Sequence, residues 1–166
     1  MTAETIRTSR LELVPLSSTF VDAVRRGDGP AAEREVGARL SPWLVAVPAH
    51  LVQLHLAKKA AEAVGMTGLW RAIVAVDPME GRRVIGTIGF HAPPDERGRM
   101  ELGCALDPAY RDRGYAAEAM TALVDMAAEA YGITHILISV TSRHERTRPV
   151  PIEASSRETE SPGPRR

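Results

Sequence analysis

The stretch MELGCALDPAYRDRGYAAEAMTALVDMAAEAYGI, Met100 to Ile133, decides how the rest of the chain is read. Its first part, Met100 to Leu106, is short, apolar and followed by turn residues, as a buried strand would be. Its last part is helical. Ala116, Ala119, Met120, Leu123, Val124 and Ala127 fall at i, i+3, i+4, i+7, i+8 and i+11, which makes one apolar face. Glu118, Thr121, Asp125 and Glu129 are expected on the opposite, solvated side, and Gly132 should close the helix as a left-handed C′ residue. Between strand and helix lies DPAYRDRGYA, Asp107 to Ala116. A helix begins with unpaired backbone N–H groups and a partial positive charge, and both bind anions. Gly114 can take backbone angles closed to other residues and lets a ligand approach the main chain. Ala116 and Ala117 keep bulk away, while Arg111 and Arg113 add positive charge. The alternative is an ordinary strand-to-helix turn with solvated arginines, because one glycine is a weak signature.

RDRGYA, Arg111 to Ala116, fits the pattern Arg/Gln-x-x-Gly-x-Gly/Ala. On that motif and its strand–loop–helix setting, the chain resembles the ribosomal-protein N-acetyltransferase-like branch of the GNAT superfamily. IGTIGFHAPPDERGR is similar to the strand and loop that precede the motif in that branch. The likeness is specific from Val84 to Val140 and looser, though in the right order, from Ile6 to Val76. It implies an α/β fold, a mixed and mainly antiparallel sheet flanked by helices on both faces. It implies acetyl-CoA as co-substrate, no metal, and transfer of the acetyl group to a primary amine by direct attack. The acceptor would be a protein N-terminus or a small-molecule amine, and a homodimer is the assembly to look for. Carried over residue by residue, the pyrophosphate would meet the backbone of Arg111, Asp112, Arg113, Gly114, Tyr115, Ala116 and Ala117. Cys104, Ala105 and Leu106 would hydrogen-bond the pantetheine arm as if it were another strand.

Acetyl transfer needs an amine that has lost its proton and a donor for the carbonyl oxygen as it gains charge. The candidate base is Glu101, at the start of the same strand, acting through water; a solvated strand-edge charge is the alternative. A backbone N–H near Ala105 is the candidate donor to the carbonyl. No acid is assigned. In the family a Tyr commonly supplies it from a segment resembling Asn-x-x-Ser and then Glu-Lys-x-Gly-Phe, and residues 141–166 contain no Tyr, Asn or Phe. Cys104 reads as a buried thiol rather than a nucleophile, and Trp43 as core packing rather than an acceptor pocket.

Outward from that stretch, RLELVPL reads as a first strand and Ser17 to Thr19 as the cap of a short helix. GDGP, Gly27 to Pro30, breaks it, a second helix from Pro30 puts Ala32, Val36 and Leu40 on one face, and SPW at Ser41 interrupts again. Ala49 to Val64 is helical in pattern. LWRAIVAV, DPMEG and RRVIGTIGF form a hairpin, and the glycines at 86, 89 and 103 mark a bulge or a close backbone approach. HAPPDERGR is a loop, and ITHILISV is a further strand.

After Val140 the pattern dissolves. Residues 141–166 hold six Arg, four Pro, four Ser and four Glu, but only Val150, Ile152 and Ala154 as aliphatics. Such a segment buries too little apolar surface to offset its ordering entropy. The expected organisation is therefore an acetyl-CoA-binding domain over 1–140 and a disordered or aberrant tail over 141–166, the reading frame being altered or truncated near codon 141; the competing explanation is a natural tail, with the fold completed by a partner chain. ILISV would then be an exposed apolar edge, and the C-terminal part of the fold would be incomplete. On that view the alternative function is a catalytically inactive acyl-CoA-binding remnant or a truncated gene product.

The bulk numbers fit one domain of 166 residues with a formal net charge of zero, which suggests no nucleic-acid or membrane partner. The single cysteine excludes an intrachain disulfide framework and fits a reducing compartment. With no apolar run of membrane-spanning length and no signal-peptide core in MTAETIRTSR, a cytoplasmic location is expected. His50 and His55 lie off a common helical face and no Cys pair exists, so no metal site is read.

Overall fold

The computed structural model describes residues 4–46, 59, 69–90, 94–133, 135–141 and 147–153. Its strands are β1 (Ile6–Arg7), β2 (Leu11–Pro15), β3 (Arg39–Leu40), β4 (Trp70–Asp77), β5 (Gly81–Phe90), β6 (Arg99–Leu106), β7 (His135–Thr141) and β8 (Thr147–Glu153). Its helices are α1 (Ser18–Arg25), α2 (Gly29–Val36), α3 (Pro42–Ala46) and α4 (Tyr115–Tyr131), with a single 3₁₀ turn at Pro108–Tyr110. The sheet runs β1-β2-β4-β5-β6-β7-β8, with β3 beside β5. Neighbours are antiparallel except β3 with β5 and β6 with β7.

The local chemistry explains the boundaries. Ser17 caps α1 by accepting the N–H of Phe20 at 3.0 Å, and Asp28 caps α2 through Ala31 at 3.1 Å. Gly132 ends α4 in the left-handed conformation, as its place in the sequence predicts. Alternation along the strands divides the core in two. On one face Leu13, Ile73, Ile88 and Leu102 pack against Ala119, Leu123 and Ala127 of α4. On the other, Ala72, Val74 and Val84 pack against Phe20, Val24 and Val36 of the small helices. The expected mixed, mainly antiparallel sheet with helices on both faces is thus observed.

Several expectations need correction. SPW is not an interruption: Pro42 opens α3, a position where its missing N–H costs nothing. The second helix stops at Val36, where Gly37 turns left-handed at φ +69°, so Leu40 lies in β3 and not on that helix face; β1 and β3, with two residues each, are too short to carry a period. The expectation of an unstructured 141–166 does not hold for all of it. Thr141 belongs to β7, and Thr147–Glu153 pairs antiparallel with it, from Thr141↔Thr147 to His135↔Glu153. The apolar run ILISV is therefore covered by a strand. Residues 142–146 and 154–166 lie outside the described residues, as do all but Lys59 of the expected helix Ala49 to Val64, and with it His50 and His55.

Close backbone approach accounts for two glycines. β4 and β5 shift register between Ile73 and Val74, where Ile73 faces Gly86 and Val74 faces Val84, so Ile85 bulges. A Cβ on Gly86 would stand 2.2 Å from the carbonyl oxygen of Ala105, and one on Gly89 would stand 2.4 Å from the Trp70 ring.

Candidate functional site

β6 is the hinge of the site. It pairs antiparallel with β5 from Leu102 to Leu106 and parallel with β7 from Arg99 on, but the ladder to β7 ends at Cys104↔Val140. Beyond that point β7 pairs with β8 at Thr141, while β6 continues through Ala105 and Leu106. Among the described residues the two strands thus pair no further, which leaves a fork between their ends. Asp107 donates its N–H to Ile85 of β5 at 2.8 Å. Strand alternation then turns the N–H of Ala105 toward β5 as well, and that of Leu106 toward the open edge. Near Ala105 it is thus Leu106 that presents its N–H to the open edge.

The chain then passes from the fork into the turn. Asp107 is buried, accepts the hydroxyl proton of Ser41 and caps the 3₁₀ turn through Ala109 at 2.9 Å. Arg111 folds back, its Nε donating to the Leu106 carbonyl at 3.2 Å. Its Nη1 is buried without a hydrogen-bond partner among the described residues. Asp112 takes φ +63° and Gly114 φ +81°, so the backbone turns sharply twice before α4. The start of α4 carries no side-chain cap, and its first internal bond is Glu118 N–H to Gly114 carbonyl at 3.1 Å. The N–H groups of Tyr115, Ala116 and Ala117 precede that bond, as at any helix start. An uncapped helix, a left-handed glycine and an arginine with one unpartnered nitrogen, beside an open strand edge, form a fitting cradle for a phosphorylated, extended ligand.

Residues 10–151 match the acetyltransferase (GNAT) domain family. The chain belongs to the GNAT family. The match runs past Val140 and into β8. A curated relative, the uncharacterized N-acetyltransferase YoaA of Bacillus subtilis, is 31% identical over 61 residues, 37% of this chain and 34% of the relative. The matched region thus spans about a third of YoaA. Among solved structures, an acetyltransferase from Agrobacterium tumefaciens is 25% identical over 86% of this chain and 77% of its own, with a TM-score of 0.51. RimL, a ribosomal L7/L12 alpha-N-protein acetyltransferase in complex with coenzyme A, shares the fold at 16% identity, covering 82% of this chain and 74% of its own, TM-score 0.51.

Within this GNAT domain Glu101 is exposed on β6, opposite Leu137 of β7, on the face turned away from α4. The same face carries Thr87 and Gly89 of β5 and Gly103 and Ala105 of β6, a floor of small side chains. Cys104 points the other way, into the α4 core, where burial pushes its thiol up to about 12. It contributes backbone to the fork and no nucleophile. Among the described residues no group of His, Cys, Asp and Glu could hold a metal, and no helix is long and apolar enough to cross a membrane.

Glu118 departs from its expected solvated place. Its carboxylate accepts from Thr8 Oγ1 at 2.6 Å, Arg10 N at 3.2 Å and Arg10 Nε at 3.0 Å. Burial alone would raise its pKa, but the bonds from Thr8 and Arg10 and the Arg10 charge outweigh that and lower it. Nothing in the helical pattern signals this contact, which joins residues more than a hundred positions apart.

Proposed function

We propose that this chain binds acetyl-CoA across the fork and transfers the acetyl group to a primary amine. The observation that carries the reading is the ladder ending at Cys104↔Val140, followed along the chain by a turn that Arg111 ties to Leu106 and by the uncapped start of α4. The backbone of Arg111, Asp112, Arg113, Gly114, Tyr115, Ala116 and Ala117 holds the pyrophosphate, and Arg111 adds its unpartnered Nη1. Cys104, Ala105 and Leu106 form the edge along which the pantetheine arm lies, with Leu106 rather than Ala105 offering its N–H. RimL, which has this fold, is known with coenzyme A, and that supports the choice of donor.

The amine attacks the thioester carbonyl carbon. A C–N bond forms, the C–S bond breaks, and no acyl-enzyme is needed. Glu101 takes the proton lost by the nitrogen through water, and an N–H at the fork offsets charge on the oxygen. A thiol of ordinary pKa, about 8.5, leaves readily as thiolate and then takes a proton from solvent. The acceptor is a protein N-terminal amine or a small-molecule amine. Residues 1–140 carry these groups, and the strand beyond braces β7.

Thermal unfolding of the 166-residue chain with and without acetyl-CoA, followed by turnover on a panel of amines, tests the reading. A cooperative transition that rises with acetyl-CoA, with turnover, is expected, because a ligand that prefers the native state stabilises it. A rise without turnover on any amine would favour an inactive acyl-CoA binder. A transition indifferent to acetyl-CoA would overturn the assignment.

A further inference from the structure

The acetyl-CoA reading leaves Arg10 unused, although Arg10 reaches the back of the Gly114 turn. It lies in the bend between β1 and β2. Its Nε donates to Glu118 Oε1 at 3.0 Å and its Nη1 to the Arg113 carbonyl at 2.9 Å. Its guanidinium carbon lies 4.3 Å from the centre of the Tyr115 ring. Thr8 and the Arg10 backbone fix the same carboxylate from the other side, at 2.6 and 3.2 Å. In a planar trans peptide the C=O and the next N–H point in opposite directions. Binding the Arg113 carbonyl on Arg10 therefore turns the Gly114 N–H away from Arg10.

We infer that Arg10, anchored by Glu118, is a positioning residue for the pyrophosphate turn, setting the Arg113–Gly114 peptide plane so that the Gly114 N–H faces the diphosphate of the donor. The inference rests on the acetyl-CoA reading. A purely stabilising role does not account for the arrangement. The Arg10 and Glu118 side chains are 43% and 20% exposed, and ion pairs with that access to solvent add little to stability. Their bonds to Arg113 and beside Tyr115 instead fix backbone orientation at the one place where α4 lacks a cap.

The test is titration calorimetry of the full chain with CoA and with pantetheine, which lacks the diphosphate, beside thermal unfolding without ligand. Arg10→Met is expected to raise the CoA Kd about fivefold to tenfold, the range for one lost hydrogen bond to the peptide group. Pantetheine affinity should not change. Glu118→Ala should copy the effect, and the double variant should add little to either single one, since both act through one contact. Arg10→Lys should not restore binding, because an ammonium lacks the planar fork that serves carboxylate and carbonyl together. Three results would overturn the inference: unchanged CoA affinity in Arg10→Met, an equal loss for pantetheine, or Glu118→Ala binding CoA as tightly as wild type or tighter. The last would make Arg10 a direct phosphate contact released by loss of its anion. A wild-type chain that ignores CoA would overturn the acetyl-CoA reading and this inference together. Normal wild-type binding with an unaffected Arg10→Met variant would overturn this inference alone.

Discussion

Gly114 combines two demands, since its φ of +81° is strained for any L side chain and a Cβ would lie 3.3 Å from Arg10 Nη2. Gly114→Val is expected to weaken CoA binding about tenfold, the equivalent of one to two kcal/mol of left-handed strain, read by calorimetry. Glu101→Gln should leave that affinity intact while slowing acetyl transfer about a hundredfold, as loss of a general base does; an unchanged rate in amine assays would remove Glu101 from the chemistry. Cys104 makes a pH prediction. Burial raises its pKa to about 12, so the protonated thiol persists far above neutrality. A disulfide reagent added at pH 8 should label it only after denaturant is added, and prompt labelling of the folded chain would contradict its place in the core. Gly114 and the arginines beside it are visible in the sequence because a short motif carries them. Arg10 and Glu118 are not, because only the fold brings the β1–β2 bend against α4.

At the scale of elements, β5 and β6 meet more closely than side chains would allow. A Cβ at position 86 would touch the Ala105 carbonyl and come within 3.0 Å of Leu106 Cα. Gly86→Ala is therefore expected to cost about 1–3 kcal/mol in urea unfolding, the usual range for overpacking, and to loosen the edge at the fork. The elements legible in the sequence are those with a clear period or a clear cap: β2, α1, the start of α2, the β4–β5 hairpin, β6, α4 and β7. The rest fail for physical reasons. β1 and β3 have two residues each and no period to detect. α3 hides behind Pro42, a residue that breaks helices inside but suits their first position. β8 contains Pro149 and Pro151, which argue against a strand on composition. Their spacing of two puts both ring nitrogens on one edge, and an edge strand can turn that edge away from its partner.

For the whole molecule, the sheet is held from both sides by helices, and β8 closes the end that would otherwise present β7. A chain ending at Thr141 should lose that cover. Light scattering of the shortened chain should rise with concentration and temperature relative to the full chain, since an unpaired apolar edge recruits further strands; clear solutions with unchanged unfolding would make β8 dispensable. The parting of β6 and β7 has a consequence for descent as well. An opening lined by peptide groups makes few demands on side-chain identity, so lineages can exchange most residues around it without losing the shape. What the shape itself needs is a distance between strand end and helix start and a residue free to turn left-handed, here Gly114. A shape carried by the backbone is thus compatible with wide divergence, such as the 25% identity to the Agrobacterium tumefaciens acetyltransferase.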